Sequence, residues 1–187
     1  MKNDSSIYLV DNTESKVVVW KDDNYFEKLD RGLKKREVET NAITERLSSI
    51  DNNLVLKHKS SGAPYTSNSI YTHISISHYG GYYPIYLSNK PVGIDVQIFK
   101  DSLLKGKHYF VNDDEESNIE LTQTNLHLIW AAKEAFYKKK SGEINDLKNE
   151  VSIIEIDEVG KLIRLKYQKE VFVLNFAVFD AHVITWA

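Results

Sequence analysis

One helical pattern constrains the fold of this chain more than any other stretch. Residues 126–140 are expected to form a helix, because their core-facing side chains recur at helical spacing and share one face. That stripe consists of Leu126, Ile129, Ala132, Lys133 and Phe136. Lys133 is its one charged member, so the pattern predicts a helix with a lysine on its buried side.

A second row of side chains runs along the same helix at spacings i, i+3, i+7 and i+11. Its members are His127, Trp130, Glu134 and Lys138. Glu134 and Lys138 place a carboxylate and an ammonium one turn apart, which is useful for proton transfer. The same pair is also an ordinary surface ion pair, worth only ~0.2–0.5 kcal/mol. The helix alone leaves both interpretations open.

The remaining hydrophobic patterning predicts an α+β protein. A short helix is expected at residues 25–29 and a longer one at residues 34–50. Alternation and turn residues predict strands at residues 7–10, 16–20, 54–56, 71–78, 82–87, 92–98, 151–157, 162–167, 171–179 and 182–186. The second half therefore reads as a strand, a helix and then a run of antiparallel strands, which differs from alternating βαβ units.

Composition excludes several classes of protein. The chain has 187 residues, no cysteine and a formal net charge of -3. Disulfides and thiolate zinc sites are excluded, and a general nucleic-acid binder would need a basic excess. The polar N-terminus lacks the apolar segment of a signal peptide, and the apolar run at residues 171–179 is too short to span a bilayer. We therefore expect a cytoplasmic protein without nucleic-acid or membrane partners.

The strand at residues 92–98 carries an unusual carboxylate. Alternation directs Val92, Ile94, Val96 and Ile98 to one face. Asp95 and Gln97 lie on the other face, two residues apart. A carboxylate between buried neighbours is costly unless it is paired or binds a cation. The two side chains offer oxygens next to each other, as a magnesium site requires. The alternative is the solvated face of an edge strand.

An acidic run, residues 113–116, precedes the helix. Its composition predicts a loop. Such a run is usually solvated, but its position shortly before the helix also allows it to lie near a metal ion.

Three motifs follow one another along the chain. They are Ser77-His78, the strand Gly93-Ile94-Asp95-Val96-Gln97, and the helix segment from Trp130 to Lys138, which reads Trp-x-x-Lys-Glu-x-x-x-Lys. In order, spacing and residue type they resemble the 4′-phosphopantetheinyl transferase superfamily. The chain length is similar to that of its monomeric two-lobed, surfactin-synthetase-activating type.

The resemblance implies a fold and a reaction. The fold would be two similar α+β lobes packed as a pseudo-dimer in one compact unit. Residues 1–91 would form the coenzyme A-binding side, and residues 92–187 would carry the metal and the catalytic helix. The reaction would transfer 4′-phosphopantetheine from coenzyme A to a serine of an acyl or peptidyl carrier protein. It would require Mg²⁺ and release 3′,5′-ADP.

The resemblance also implies roles for individual residues. The metal ligands would be Asp95, Gln97 and Glu134. Glu134 and Lys138 would be catalytic, with Glu134 helping to deprotonate the carrier serine and Lys138 assisting the leaving phosphate. The contacts to coenzyme A would be Arg46, Ser77, His78 and Lys133.

Two positions depart from the family pattern. Gln97 stands where the family usually has Glu, which reduces the charge available to a metal ion. Ala63, in Gly62-Ala63-Pro64, replaces a lysine that contacts phosphate, and Lys57 or Lys59 is available to compensate. These departures motivate an alternative, in which the chain binds coenzyme A or a carrier protein without turnover. A third alternative is an interaction protein that uses the tyrosines at positions 79, 82, 83 and 86.

Overall fold

A computed structural model of the protein describes residues 6–60, 62–67 and 69–187. The protein is α+β, with several antiparallel sheets and separate helices. The chain divides into two compact units, Met1–Val92 and Gly93–Ala187. The functions assigned above to the two halves, and their packing as a pseudo-dimer, stay predictions.

The first unit is built on a four-stranded antiparallel sheet with the order β1-β2-β6-β5. Its strands are β1 (Ser6–Asp11), β2 (Ser15–Lys21), β5 (His73–Ile76) and β6 (Tyr82–Ser88). A separate hairpin comprises β3 (Val55–His58) and β4 (Pro64–Ser67). The described part of the unit also contains the helices α1 (Tyr25–Asp30) and α2 (Lys35–Ile50).

The core of the first unit joins apolar residues of the sheet to one side of α2. Its buried members include Val18, Trp20, Ile74, Ile85, Leu87, Val38, Ile43 and Leu47. The side of α2 that carries Val38, Ile43 and Leu47 therefore packs in the core.

The second unit contains a five-stranded antiparallel sheet with the order β7-β11-β10-β9-β8. Its strands are β7 (Ile94–Ile98), β8 (Val151–Asp157), β9 (Leu162–Tyr167), β10 (Glu170–Val178) and β11 (His182–Trp186). Its helices are α3 (Ser102–Lys105), α4 (Asp113–Asn118), α5 (Gln123–Lys139) and α6 (Leu147–Glu150), with a 3₁₀ turn at Lys107–Tyr109. No helix within the described ranges combines the length and apolar character needed to cross a membrane.

Helix α5 confirms the predicted core-facing stripe. All five predicted core-facing residues are buried, Lys133 among them. The helix begins before the predicted start because the Thr122 side chain accepts a hydrogen bond from the Asn125 backbone N–H at 3.1 Å. In the second row of the helix, the side chains of Glu134 and Lys138 are half-buried.

The prediction of a loop at residues 113–116 is wrong. These residues begin α4, and Asn112 caps the helix. The Glu115 backbone N–H donates to the Asn112 side chain, and the Asn112 N–H donates to the Glu115 carboxylate, both at 2.9 Å. Four acidic residues in the first turn also suit the positive end of the helix dipole.

Glu115 is the buried partner of Lys133. The Lys133 Nζ lies 2.9 Å from Glu115 Oε2, and both side chains are fully buried. The other carboxylate oxygen accepts a hydrogen bond from the Ile153 backbone N–H at 2.7 Å. Burial lowers the pKa of Lys133, and the negative charge of Glu115 opposes that effect. This pair therefore connects α4, α5 and β8 inside the core.

We expect Lys133→Met to lower the free energy of unfolding by about 3–5 kcal/mol, because it leaves the Glu115 carboxylate buried without its counter-charge. Urea denaturation measures the change. Lys169→Met, at an exposed position, serves as the control and should change stability by less than about 0.5 kcal/mol. Equal losses in the two variants would contradict this account of the core.

Candidate functional site

A glycine sets the distance between β7 and α5. A Cβ atom at Gly93 would lie 1.7 Å from the Ala135 carbonyl oxygen, so no side chain fits there. Gly93 is also fixed to the end of β11, donating to the Ala187 carbonyl at 3.1 Å and accepting from its N–H at 2.9 Å. Glycine is thus required by close backbone approach. The approach brings the start of β7 directly against the helix.

Asp95 lies two residues further along β7 and is 4% exposed. Its Oδ1 accepts a hydrogen bond from Lys138 Nζ at 2.7 Å, and its Oδ2 accepts one from Gln97 Nε2 at 2.7 Å. Lys138 also donates to the Ile94 carbonyl at 3.0 Å. Although β7 is an edge strand, the solvated face considered above does not describe it, since Gln97 is also buried.

Lys138 and Glu134 do not form the helix-surface ion pair that their spacing allows. The ammonium of Lys138 reaches across to Asp95, and the pair is only partly exposed. Glu134 is half-buried and makes no hydrogen bond or ion pair within the residues that the structure describes. Burial raises the pKa of Glu134, and the nearby Asp95 charge raises it further, while Lys138 lowers it. Lys138 therefore pairs with Asp95, and its charge also acts on the nearby Glu134.

This donor set suits a hard cation. Asp95 and Glu134 supply carboxylate oxygens and Gln97 an amide oxygen, which are the donors that Mg²⁺ prefers. Among the described residues, no three His, Asp or Glu side chains form a metal-binding group. Mg²⁺ is commonly held by one or two carboxylates together with waters and substrate phosphates. The residues thus fit the ion, although Gln97 directs its amide nitrogen towards Asp95.

Sequence reasoning missed Thr185. This residue pairs with Asp95 across β7 and β11, so the two side chains share a face of the sheet. Thr185 is fully buried, and its Oγ1 has no hydrogen-bond partner in the described part of the chain. A buried hydroxyl without a partner is uncommon and marks a polar position beside Asp95. The only signal in the sequence is a threonine within an otherwise apolar end of β11.

Lys133 is not brought to this site. Its ammonium contacts the Phe110 carbonyl at 2.8 Å, Glu115 at 2.9 Å and the Lys148 carbonyl at 3.3 Å. An ammonium has three hydrogens to donate, so none is left for a phosphate. The interpretation of Lys133 as a contact to coenzyme A does not fit this arrangement.

The other three predicted contacts to coenzyme A lie in the first unit. Arg46 is on α2, and it lines a groove together with Lys28 and Glu45. Ser77 is buried, and its backbone N–H donates to the Pro84 carbonyl at 3.1 Å. His78 is exposed, and its Nδ1 lies 3.2 Å from the carboxylate of Glu39.

Comparison of the chain with protein-family models and with curated proteins finds no match. The residues and their geometry therefore carry the functional interpretation.

We expect Gly93→Ala to destabilise the protein by about 1–3 kcal/mol, because the added methyl group must push β7 away from Ala135. Gly106→Ala is the matched control, since a Cβ there meets no atom closer than 3.7 Å. Thermal unfolding of both variants measures the difference. A Gly93→Ala variant as stable as the control would show that the close approach is not required.

Glu134→Gln tests the electrostatics of the site without any ligand. The pKa of Glu134 is raised in the folded protein above its ordinary value of 4.5, so its ionisation costs stability as pH rises through the folded-state value. The variant should match the wild type at low pH and become more stable than it towards neutral pH. Urea denaturation across this range measures the difference, with the exposed Glu158→Gln as control. A wild type that is more stable at neutral pH would contradict the assignment.

Proposed function

We propose that this chain is a Mg²⁺-dependent 4′-phosphopantetheinyl transferase that acts on a serine of an acyl or peptidyl carrier protein. The observation that carries the proposal is the contact of Lys138 with buried Asp95 at 2.7 Å, with Glu134 on the same helix row. The same residues stand in the strand and helix motifs of the superfamily.

The reaction requires charge neutralisation and a base. The carrier serine oxygen forms a bond to the β-phosphorus of coenzyme A, and the bond from that phosphorus to the bridging oxygen breaks. The serine loses its proton, and 3′,5′-ADP leaves with the bridging oxygen. Cationic groups that face the pyrophosphate stabilise the charge that develops there.

The residues of the second unit fit these requirements. Glu134 would accept the serine proton, directly or through water, and its raised pKa favours that role. Lys138, positioned by Asp95, would donate to the departing phosphate. Asp95, Gln97 and Glu134 would hold Mg²⁺. The bound ion would neutralise charge on the pyrophosphate and orient it.

The proposal also covers the packing of the two units, the cellular location and the binding partners. The two units would be similar lobes packed as a pseudo-dimer, and the protein would be a cytoplasmic monomer without nucleic-acid or membrane partners. Arg46, Ser77 and His78 would contact coenzyme A. Lys133 is left out of the binding set because the Glu115 carboxylate and two backbone carbonyls occupy its ammonium.

Release of 3′,5′-ADP in the presence of coenzyme A, Mg²⁺ and a panel of carrier proteins tests the proposal. Asp95→Ala and Glu134→Ala should each lower the initial rate by at least about 100-fold, since each removes charge from the reacting centre. Lys169→Met, at an exposed position, should retain the wild-type rate. Equal rates in wild type and both alanine variants would refute these roles.

A second candidate is a protein of the same fold that binds coenzyme A or a carrier protein without catalysing the transfer. It is favoured by the contacts of Asp95, because Lys138 and Gln97 satisfy both carboxylate oxygens without a metal ion. This candidate predicts that calorimetry detects coenzyme A or carrier binding while no Mg²⁺-dependent product forms with any carrier.

Gln97→Glu separates the two candidates. A carboxylate at this position would face Asp95, so it should lower the thermal stability of the metal-free protein. If the site binds Mg²⁺, the added charge should also enlarge the increase in Tm that the ion produces, relative to wild type. An exposed substitution, Gln168→Glu, controls for general charge effects. No increase in the Mg²⁺-dependent shift would favour the candidate without turnover.

A further inference from the structure

The first unit contains a buried carboxylate that the proposed chemistry does not use. Glu39 lies on the core side of α2 and is 7% exposed. Its Oε1 accepts a hydrogen bond from the Tyr25 hydroxyl at 3.1 Å and lies 3.2 Å from His78 Nδ1. Lys35 Nζ, one turn earlier on the helix, is 3.8 Å from the same oxygen. Three polar groups from three segments of the chain therefore meet at one oxygen atom.

A carboxylate at this position requires an explanation. Its neighbours on the same side of α2, Val38 and Ile43, are buried in the apolar core. Burial of a carboxylate is costly unless donors compensate for the lost water. Burial and the Glu39 charge raise the pKa of Tyr25 to about 12, so its hydroxyl keeps the proton that it donates. An apolar side chain at this position would need no polar partners, yet the chain has a carboxylate here.

The consequence of this arrangement is a carboxylate placed against one nitrogen of the His78 ring. Glu39 Oε1 lies 3.2 Å from His78 Nδ1, and the His78 side chain remains 43% exposed. The other ring nitrogen, Nε2, makes no hydrogen bond or ion pair within the described residues. A carboxylate on one ring nitrogen determines which nitrogen is left for a ligand and in which direction it points. His78 thus presents Nε2 outward from an oriented ring.

We propose that Glu39, itself fixed by Tyr25, is a positioning residue that orients His78 so that Nε2 donates to a phosphate group of coenzyme A. The identity of the ligand rests on the proposed function, whereas the orientation of the ring rests on the contacts above. With phosphate bound, the ring is paired with Glu39 at one nitrogen and with the phosphate at the other.

The charge of Glu39 does not prevent this contact. The carboxylate is behind the ring and is almost completely buried, so it does not face the ligand directly. Lys35, whose Nζ is 3.8 Å from Glu39 Oε1, offsets part of its charge.

A double-mutant cycle tests the inference by calorimetry with 3′,5′-ADP as the probe. The variants are Glu39→Gln, His78→Ala and the combination of the two. Glu39→Gln retains the shape of the side chain and an acceptor oxygen, and thermal unfolding verifies that each variant is folded. Tyr25→Phe is a second, milder variant that removes one hydroxyl. Glu14→Gln, in an exposed turn of the same unit, removes the same charge and serves as the control.

We expect His78→Ala and Glu39→Gln each to weaken binding about tenfold, as for loss of one charge-assisted hydrogen bond. In the His78→Ala background, Glu39→Gln should cause no further loss, because Glu39 acts through the ring. Tyr25→Phe should weaken binding by a smaller factor and only when His78 is present. A residue with a merely structural role would lower the unfolding temperature without this dependence on His78.

Three outcomes would overturn the inference. They are unchanged affinity in Glu39→Gln, an equal loss with and without His78, and a wild type that does not bind the probe. The transfer assay separates this inference from the proposed function. Carrier modification without coupling between Glu39 and His78 refutes only the inference, whereas coupling without any carrier modification leaves the phosphate contact in place and refutes the transferase.

Discussion

The close approach of β7 to α5 at Gly93 is the constraint on which the candidate site depends. A Cβ atom at this position would be 1.7 Å from the Ala135 carbonyl oxygen, so the backbones of strand and helix are in direct contact. Asp95 follows two residues later, while Glu134 and Lys138 flank Ala135 on the helix. The short distance places a strand carboxylate within 2.7 Å of a helix ammonium. A single glycine thereby converts two separate motifs into one site.

The two lysines of the helix motif are used in different ways. Lys133 is on the core side and pairs with Glu115, which in turn holds backbone groups of the α4 cap and β8. Lys138 is on the neighbouring row and pairs with Asp95. The first contact stabilises the helix within the unit, while the second leaves a partly exposed ammonium beside two carboxylates. This division explains how one helix can be packed in the core and still carry partly exposed charged side chains.

Local patterns predicted the elements better than the contacts between them. Helical spacing identified the buried stripe of α5, and alternation located β7 and the strands that follow the helix. The partner of Lys138 is 43 residues away and that of Lys133 is 18 residues away, so no local spacing identifies either. The helix at residues 113–118 was missed because its cap, Asn112, acts together with Glu115, and acidic composition alone indicates a loop. Thr185 was missed because only the register of β11 with β7 places it opposite Asp95.

The central claim is that the Asp95, Glu134 and Lys138 cluster performs phosphopantetheine transfer. The most direct measurement is the intact mass of an apo carrier protein after incubation with the wild-type chain, coenzyme A and Mg²⁺. The account predicts the gain of one phosphopantetheine group on the carrier serine, dependent on Mg²⁺ and absent when the cation is chelated. An unchanged mass for every class of carrier protein, with the chain folded and the ion present, would contradict it.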